Sequence, residues 1–490
     1  MVNTQYLVKK TLLGAALASI GLLINSSAWA QTSEYKKAQL ANAETGPTVD
    51  TLLYSMQHLH PYTKAIKEGA VQANADLDIA NSAFDPYLEH DSFSRVTGYY
   101  DGTSLQQRIV KPLEDYNASV FTEYRVTDGN FPVYEQQYET QSAGEASVGI
   151  AFSLLKGREI NKQRLGVTNA RLDLMLWEVQ ANTMLNDFIY KGLVNYLTWY
   201  ESSLQVEAVE SLLATTSLRE EAIATRVERG DLAQISLTEF RANLLEQRLL
   251  VEKLKQTRDG YAHALSYYLR DSDGHVINMP PATKVPEDIA WPLWVGDTQL
   301  SALRKQIAEH PALKSMRVAQ EQTQNKVKLA NNALLPKLDL KASIAKDIGS
   351  GSQTLDQVES KIGLSFSYPL GNRKAKAEVA KAKSKDRELS LKISAMEESL
   401  VQSFEQAYTY WVQAKNVTKL QQENAELAKT LSGMERQRFS AGDSNMFLLN
   451  ARTSTEIKAE MKHIEAKVDL LKAELSLYKI VALLPTLNVK

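Results

Sequence analysis

Residues 361–384 read KIGLSFSYPLGNRKAKAEVAKAKS, and the periodicity of the chain changes within this stretch. Ile362, Leu364, Phe366 and Tyr368 alternate with Lys, Gly and Ser, which predicts a strand with one apolar and one polar face. After residues 371–372 the chain continues to Arg438 with one glycine and no proline. This predicts a helix of about 65 residues, roughly 100 Å long at 1.5 Å per residue.

The predicted long helix carries an apolar repeat. Its apolar residues are spaced three or four positions apart: Ile393, Met396, Leu400, Phe404, Ala407, Trp411 and Ala414. A mean spacing near 3.5 is typical of a coiled-coil seam, so we expect this helix to pack against other long helices.

Further predicted elements lie on both sides of this stretch. Residues 298–333 have helix-forming composition, Pro336 ends that helix, and residues 337–344 alternate polar and apolar as a second strand. A Gly-Asp pair follows the long helix, and residues 446–483 form another predicted helix. The unit is therefore helix, strand, strand, very long helix, turn and helix.

This unit occurs twice in the chain. HPYTKAIKEGAVQANADLDIANSAFDPYLE from His60 matches HPALKSMRVAQEQTQNKVKLANNALLPKLD from His310, and SVGIAFSLLKGRE (147–159) matches KIGLSFSYPLGNR (361–373). RVERGDLA (226–233) matches RFSAGDSN (438–445). We assign residues 51–270 and 298–484 as two repeats, joined by a connecting segment at 271–297 and followed by a tail at 485–490. The first repeat has two strands with a long insert, 98–145, between them.

Each Gly-Asp pair lies between two predicted helices, which in the first repeat are residues 159–229 and 234–269. Glycine commonly ends a helix in the left-handed conformation, and Asp can cap the start of the next one. Gly230-Asp231 and Gly442-Asp443 are therefore predicted hairpin turns. Arg229-Gly230-Asp231 also resembles the tripeptide that integrins bind, but the second repeat has Ala441 in place of the arginine. The turn is the favoured interpretation.

The N-terminus predicts export. Lys9-Lys10, an apolar run at 11–24 and Ala28-Trp29-Ala30 predict a signal peptide over residues 1–30, and residues 31–50 a periplasmic segment. After residue 30 no run of about 18 apolar residues suits a membrane-spanning helix.

The composition argues against several classes of function. A net charge of −2 does not favour nucleic acid, and no cysteine and seven histidines leave little material for a metal site. His58 and His60 suggest a metal, but His60 recurs as His310 before a proline while His58 has no counterpart, which favours a structural role. We predict no enzyme activity, no catalytic residues, no metal and no cofactor.

The strands alone leave two possibilities, a soluble sandwich or a membrane barrel. Two repeats give four strands per chain, which are too few to close a barrel, and lipid excludes an open sheet edge. If the strands are in a membrane, they must close between chains, and three chains give twelve strands.

ANNALLPKLDLKAS (330–343), residues 361–384 and RFSAGDSNMFLLNARTSTEIKAE (438–460) resemble the TolC-like outer-membrane efflux proteins, and the resemblance covers nearly all of residues 50–485. It implies a mainly helical homotrimer of the Gram-negative outer membrane. Its twelve-stranded barrel, with four strands per chain, would contact lipid and be continued by a twelve-helix periplasmic tunnel. Residues 271–297 and the mature termini would surround that tunnel.

The resemblance implies an exit duct of a tripartite efflux or type I secretion system, which passively conducts substrates from a periplasmic adaptor and an inner-membrane pump of RND, ABC or MFS type. The tip turns would dock the adaptor through Arg226, Arg229, Gly230, Asp231, Arg438, Gly442 and Asp443. The family's aperture aspartates lie in a Val-Leu-Asp-Ala-like run, which here is residues 448–451 with Asn450 at the matching position. The candidate aperture residues are Asp231, Glu239, Asp443 and Asn450. The alternatives are a periplasmic coiled-coil scaffold and a cell-surface adhesin using Arg229-Gly230-Asp231.

Overall fold

The computed structural model describes residues 46–115, 117–132, 138–280, 283–286, 289, 291, 293 and 297–487. The predicted signal peptide, most of the segment 31–50 and the last three residues of the predicted tail lie outside these ranges.

The elements follow the predicted order in both repeats. The helices are α1 Val49–Tyr54, α2 Pro61–Asn81, α3 Lys162–Ser217, α4 Glu220–Glu228, α5 Gln234–Ser266, α6 Asp297–Lys305, α7 Pro311–Asn332, α8 Arg373–Ala441 and α9 Met446–Ile480. The strands are β1 Tyr87–Arg95, β2 Gly102–Leu113, β3 Ala118–Gly129, β4 Glu145–Ser153, β5 Lys337–Asp347 and β6 Glu359–Ser367. The longest helix, α8, has 69 residues, close to the length predicted from the scarcity of Gly and Pro.

The chain forms two compact units. The first combines the chain up to residue 65 with residues 184–304 and 403–490, and its described part is helical hairpins and the connecting segment. The second combines residues 66–183 with 305–402 and contains the whole sheet.

The six strands form one antiparallel sheet in chain order, β1 to β6. Residues that lie directly opposite one another share a face of the sheet. One row across all six strands is Tyr87, Val110, Phe121, Gly149, Ser343 and Lys361. The neighbouring row, on the opposite face, is Leu88, Ile109, Thr122, Val148, Ile344 and Ser360.

The number of strands per chain differs from the four that the repeat predicts. The two additional strands, β2 and β3, come from the insert 98–145 and lie between β1 and β4. They form because the insert contains two alternating stretches separated by a tight turn, in which Asn117 has a φ of 46°. The description of the first repeat as two strands with an insert is therefore wrong, since the insert is part of the sheet.

The first long helix is interrupted, whereas residues 159–229 were predicted as one helix. The chain breaks between α3 and α4 at residues 218–219. Just before the break, Thr215 and Thr216 donate hydroxyl hydrogen bonds to the carbonyls of Ser211 and Leu212, at 3.0 and 2.8 Å. Hydroxyl side chains that bond back to the helix backbone favour bending, although Thr409 and Thr418 make the same bond within the unbroken α8.

The helical unit has a continuous apolar core. Leu52, Leu193, Trp199, Leu265 and Leu475 are at most 1% exposed within it. Met279 and Leu293 of the connecting segment pack into the same core. The connecting segment is thus anchored to the helices by its apolar residues.

The repeated His-Pro pairs begin helices. His60 Nδ1 accepts a hydrogen bond from the backbone N–H of Tyr62, and His310 Nδ1 accepts one from Ala312, both at 3.1 Å. His60 Nε2 also lies 2.9 Å from the carbonyl oxygen of Tyr267. Both histidines cap helix N-termini, so the structural role predicted for them is confirmed.

Within the described residues, no helix combines the length and the apolar character needed to span a membrane.

Candidate functional site: the two helix-hairpin turns

The first turn joins α4 to α5 and is built around Gly230, whose φ is 80°. The N–H of Gly230 donates to the carbonyl of Val227 at 3.0 Å, and the N–H of Asp231 donates to the carbonyl of Arg226 at 2.8 Å. This paired arrangement is a glycine C-cap, which satisfies carbonyls that a helix end leaves without partners.

The second turn, between α8 and α9, repeats this geometry. Gly442 has a φ of 88° and donates to the carbonyl of Phe439 at 3.2 Å, while Asp443 donates to that of Arg438 at 2.9 Å. Both of these hydrogen bonds therefore have a counterpart 212 residues later, so the predicted pairing of Gly230-Asp231 with Gly442-Asp443 is confirmed as a pair of hairpin turns.

The N-caps of the following helices are not the predicted aspartates. α5 is preceded by Ala233, which makes no side-chain cap hydrogen bond, and α9 by Asn445, whose Oδ1 accepts from the N–H of Leu448 at 2.9 Å. Asp231 and Asp443 lie two residues too early because each already closes the preceding helix. The interpretation of these aspartates as N-caps is wrong, and both carboxylates are exposed.

A shared apolar cluster fixes the two turns relative to each other. Ile223, Leu237, Phe240, Leu244, Phe439, Met446 and Leu449 are buried together, and they come from both hairpins. The Arg226 guanidinium lies 5.5 Å from the centre of the Phe439 ring, a cation–π contact between the hairpins. Arg226 is therefore partly structural, whereas Arg229 is exposed.

The two turns differ in the side chains that pack against them. In the first, Ile223 and Leu232 belong to the apolar cluster. In the second, the equivalent positions are Glu435 and Ser444, and the Ser444 hydroxyl donates to the buried Glu435 carboxylate. Arg438 lies 3.7 Å from Glu435 and donates to the Asp443 carbonyl at 3.1 Å. One turn thus has an apolar support and the other a hydrogen-bonded one.

A partly buried ion pair lies further along the second hairpin and was not predicted from the sequence. Arg436 Nη2 donates to the carboxylate of Glu456, which is 5% exposed, and to the hydroxyl of Ser432 at 2.9 Å. Arg219, in the break between α3 and α4, is affected by this pair. The main cause that lowers the pKa of the Arg219 guanidinium is its burial, and the second is the positive charge of Arg436. The spacing of Arg436 and Glu456 across two helices gives no local sequence signal, which is why sequence reasoning missed the pair.

The candidate aperture residues lie at or near the turns. Asp231 and Asp443 are exposed in the turns, Glu239 is exposed on α5, and Asn450 is partly buried on α9. Exposed carboxylates at matching positions of two hairpins can form an anionic ring only when several chains combine.

Comparisons with known proteins agree with these features. Residues 302–483 match the model of the outer membrane efflux protein family. No curated protein matched the sequence.

Solved structures share the fold over most of the chain. A structure of CusC, described in terms of transmembrane channel formation, has a TM-score of 0.65 at 12% identity and covers 90% of this chain and 96% of its own. The outer membrane protein VceC of Vibrio cholerae has a TM-score of 0.63 at 13% identity over 89% of this chain and 96% of its own. The CmeC outer membrane channel of Campylobacter jejuni has a TM-score of 0.60 at 14% identity, over 89% of this chain and 85% of its own.

The resemblance to the TolC-like outer-membrane efflux proteins is thereby confirmed, by the family model in the second repeat and by the fold along the chain. The similar structures are membrane channels rather than enzymes. At these identities the structural similarity establishes the fold.

Proposed function

We propose that this chain, a relative of the outer membrane efflux proteins, is the outer-membrane exit duct of a tripartite efflux or type I secretion system. As a homotrimer in the Gram-negative outer membrane, it passively conducts substrates to the outside. The energy comes from an inner-membrane pump of RND, ABC or MFS type, to which a periplasmic adaptor connects it.

The exposed apolar face of the sheet carries this proposal. Ile362, Leu364 and Phe366 on β6 are 80%, 65% and 66% exposed, and Val148 and Ile344 on β4 and β5 are 53% and 55% exposed. A continuous apolar surface of this kind is rare on soluble proteins but suits the lipid-facing side of a membrane sheet. A periplasmic coiled-coil scaffold would not need an exposed apolar sheet face. The exit-duct hypothesis accounts for both this face and the long helices.

The helix-hairpin turns are the proposed adaptor-docking site. Arg229, Asp231, Arg438 and Asp443 are exposed on turns whose backbone is held by the glycine C-caps and by the shared apolar cluster. In a homotrimer each of these side chains occurs three times. Together with Glu239 and Asn450, the two aspartates are the proposed lining of the periplasmic aperture.

Photo-cross-linking in living cells tests the docking proposal. A photoreactive amino acid is placed at Asp231 or Asp443, with a matched control at the exposed Lys381 of α8, and cross-linked proteins are identified by mass spectrometry. We expect a periplasmic adaptor of the membrane-fusion type from both turns and not from Lys381. If the turns capture no adaptor, or Lys381 captures it equally well, the docking site is wrongly assigned.

A further inference from the structure

The first and last strands of the sheet, β1 and β6, each have a neighbour on one side only. Their other edges leave backbone N–H and C=O groups without partners within the described sheet. Lipid offers these groups no hydrogen bonds, and a sheet in a membrane must therefore be closed. Under the proposed function, both edges need a partner strand.

The inserted strands, β2 and β3, are long enough to cross a membrane as part of a barrel wall. β2 and β3 have 12 residues each, while about 9–11 residues cross a bilayer as a tilted strand. β2 pairs with β1 over the whole length of β1, and β3 pairs with β4 from Ala118 to Arg125. The insert is therefore continuous with the rest of the sheet rather than a loop beyond it.

Side-chain contacts hold the insert in this position. Arg108 of β2 lies 4.0 Å from Glu89 of β1 and 3.8 Å from Glu123 of β3, so one charged row crosses three strands. Phe121 of β3 lies directly over Gly149 of β4, where a Cβ atom would come within 2.4 Å of the ring. The glycine of β4 thus makes room for a side chain of the inserted strand.

The strands of the insert, like their neighbours, place exposed apolar residues on one face of the sheet and charged residues on the other. The exposed apolar residues on one face are Leu88, Ile109, Val120, Tyr124, Val148, Ile150, Ile344, Ile362, Leu364 and Phe366. The charged residues on the other face include Glu89, Arg108, Glu123, Arg125, Glu145, Lys341 and Lys361. The six strands therefore fit one wall between lipid and a water-filled lumen, in which β1 contributes only Leu88 to the apolar side.

We propose that the barrel of the trimer has eighteen strands, because each chain contributes six, and that β6 of one copy pairs antiparallel with β1 of the next. The proposal rests on the proposed outer-membrane function. It differs from the twelve-stranded barrel that the resemblance implies, because β2 and β3 are wall strands here.

The lengths of the edge strands predict the register of this interface. β1 and β6 have nine residues each, so full overlap places Tyr87 opposite Ser367 and Arg95 opposite Glu359. The row that starts at Tyr87 reaches β6 at Lys361, six residues before Ser367. Each chain therefore shifts the row by six residues. A shift of six residues over six strands, at about 3.3 Å per residue and about 4.8 Å per strand, corresponds to strands tilted by about 35° from the barrel axis. This tilt is within the range of known barrels.

The same register sets which side chains of the two edges meet. A shift by six residues is even, so the lipid side of β1 continues onto the lipid side of β6, where Leu88 faces Phe366 while His90 and Ser92 face Leu364 and Ile362. On the lumen side Arg95 faces Glu359, and Phe93 faces Lys361, which suits an ion pair and a cation–π contact.

The diameter of a barrel grows with its number of strands. At about 4.8 Å between strands and a tilt of about 35–40°, eighteen strands enclose a backbone diameter of roughly 34–36 Å, against roughly 23–24 Å for twelve. Barrels of 16–18 strands leave an aqueous channel. The barrel segment of this duct is thus about 1.5 times as wide as a twelve-stranded one.

Disulfide cross-linking tests the interface, and the chain has no cysteine of its own. We pair Glu89→Cys with Ser365→Cys, which the register places opposite each other on neighbouring copies. The matched control pairs Glu89→Cys with Lys361→Cys, which lies about 13 Å further along β6, too far for a disulfide. On oxidation in the outer membrane, we expect covalent dimers and trimers from the first pair and none from the control. No covalent oligomer from the first pair overturns the proposal.

A within-chain pair separates the two barrel sizes. Glu89→Cys and Ser147→Cys lie on β1 and β4, which are three strand spacings or about 14 Å apart when the insert is in the wall. Formation of that disulfide means that β1 and β4 are neighbours and overturns the proposal.

The unmodified protein provides a second measurement. Electron microscopy of the trimer in lipid is expected to show a barrel near the larger diameter, and a diameter near 24 Å overturns the eighteen-stranded barrel. A trimer with the smaller barrel leaves the proposed function intact, whereas a soluble monomer contradicts the function itself.

Discussion

Gly230 and Gly442 hold φ angles of 80° and 88°, which side chains with a Cβ rarely adopt. Neither glycine has an atom within 4 Å of where a Cβ would lie. A substitution at either position therefore acts through the backbone conformation and not through a clash.

Replacing Gly230 or Gly442 with valine is expected to destabilise the turn by at least about 1–2 kcal/mol and to reduce export. The matched control is Gly433→Ala on α8, where a Cβ also meets nothing within 4 Å but the backbone is helical. There alanine should stabilise the helix by up to about 1 kcal/mol. Unchanged export and unchanged thermal unfolding in both valine variants would contradict the assignment of these turns.

Glu474 of α9 is a carboxyl group buried beside an aromatic donor. It is 8% exposed, and the Trp411 indole N–H donates to it at 3.4 Å. Burial raises the pKa of Glu474 to about 7 from an ordinary value of 4.5. The folded protein therefore holds this proton more tightly than the unfolded chain does, and the stability that it contributes is lost as the pH rises from about 4.5 through 7.

Glu474→Gln removes this titration and keeps an oxygen that accepts from Trp411. At pH 8 we expect stabilisation on the order of 3 kcal/mol, since one pKa unit corresponds to about 1.4 kcal/mol, and a much smaller effect at pH 5. Thermal unfolding at both pH values measures the difference, with the exposed Glu423→Gln as a control. An equal effect of Glu474→Gln at pH 5 and pH 8 would contradict the raised pKa.

At the scale of elements, α5 and α9 begin at equivalent positions with different caps. Ala233 has a φ of −70° and a ψ of 148°, the extended backbone of an N-cap, without a side chain that accepts a hydrogen bond. Asn445 provides such a side chain for α9. A capping side chain can therefore be introduced before α5 and removed before α9.

Ala233→Ser is expected to stabilise the first hairpin and Asn445→Ala to destabilise the second, each by about 1 kcal/mol. Hydrogen exchange of the N–H groups in the first turn of α5 and α9 measures both effects in one experiment. Slower exchange in α5 for Ala233→Ser and faster exchange in α9 for Asn445→Ala are expected. Opposite or absent changes would show that these residues are not the caps.

The order of elements was predictable, and particular features explain where prediction failed. Long stretches with few glycines and no proline identified α3 and α8, and the break at residues 218–219 was missed because it contains neither Gly nor Pro. β2 and β3 were missed because the second repeat has no counterpart to them. Their alternation, with Leu105 and Ile109 against Gln106 and Arg108, was the available signal.

At the scale of the whole molecule, the helical unit and the sheet differ in where their apolar residues lie. The helical unit buries its apolar residues within the chain, as the core around Leu193 and Trp199 shows. Among the residues that the structure describes, the sheet leaves one apolar face and two edges open. Repeat spacing predicted the hairpin turns. In the proposed trimer the contacts that complete the sheet would come from lipid and further copies of the chain, which no local pattern encodes.

The central claim is that this chain works as a trimer in the outer membrane. Separation of inner membrane, outer membrane and soluble periplasm on a density gradient tests it most directly, with the oligomer in each fraction measured by gel electrophoresis before and after heating. We predict recovery in the outer-membrane fraction as a trimer that dissociates on heating. Recovery as a soluble periplasmic protein would contradict the account.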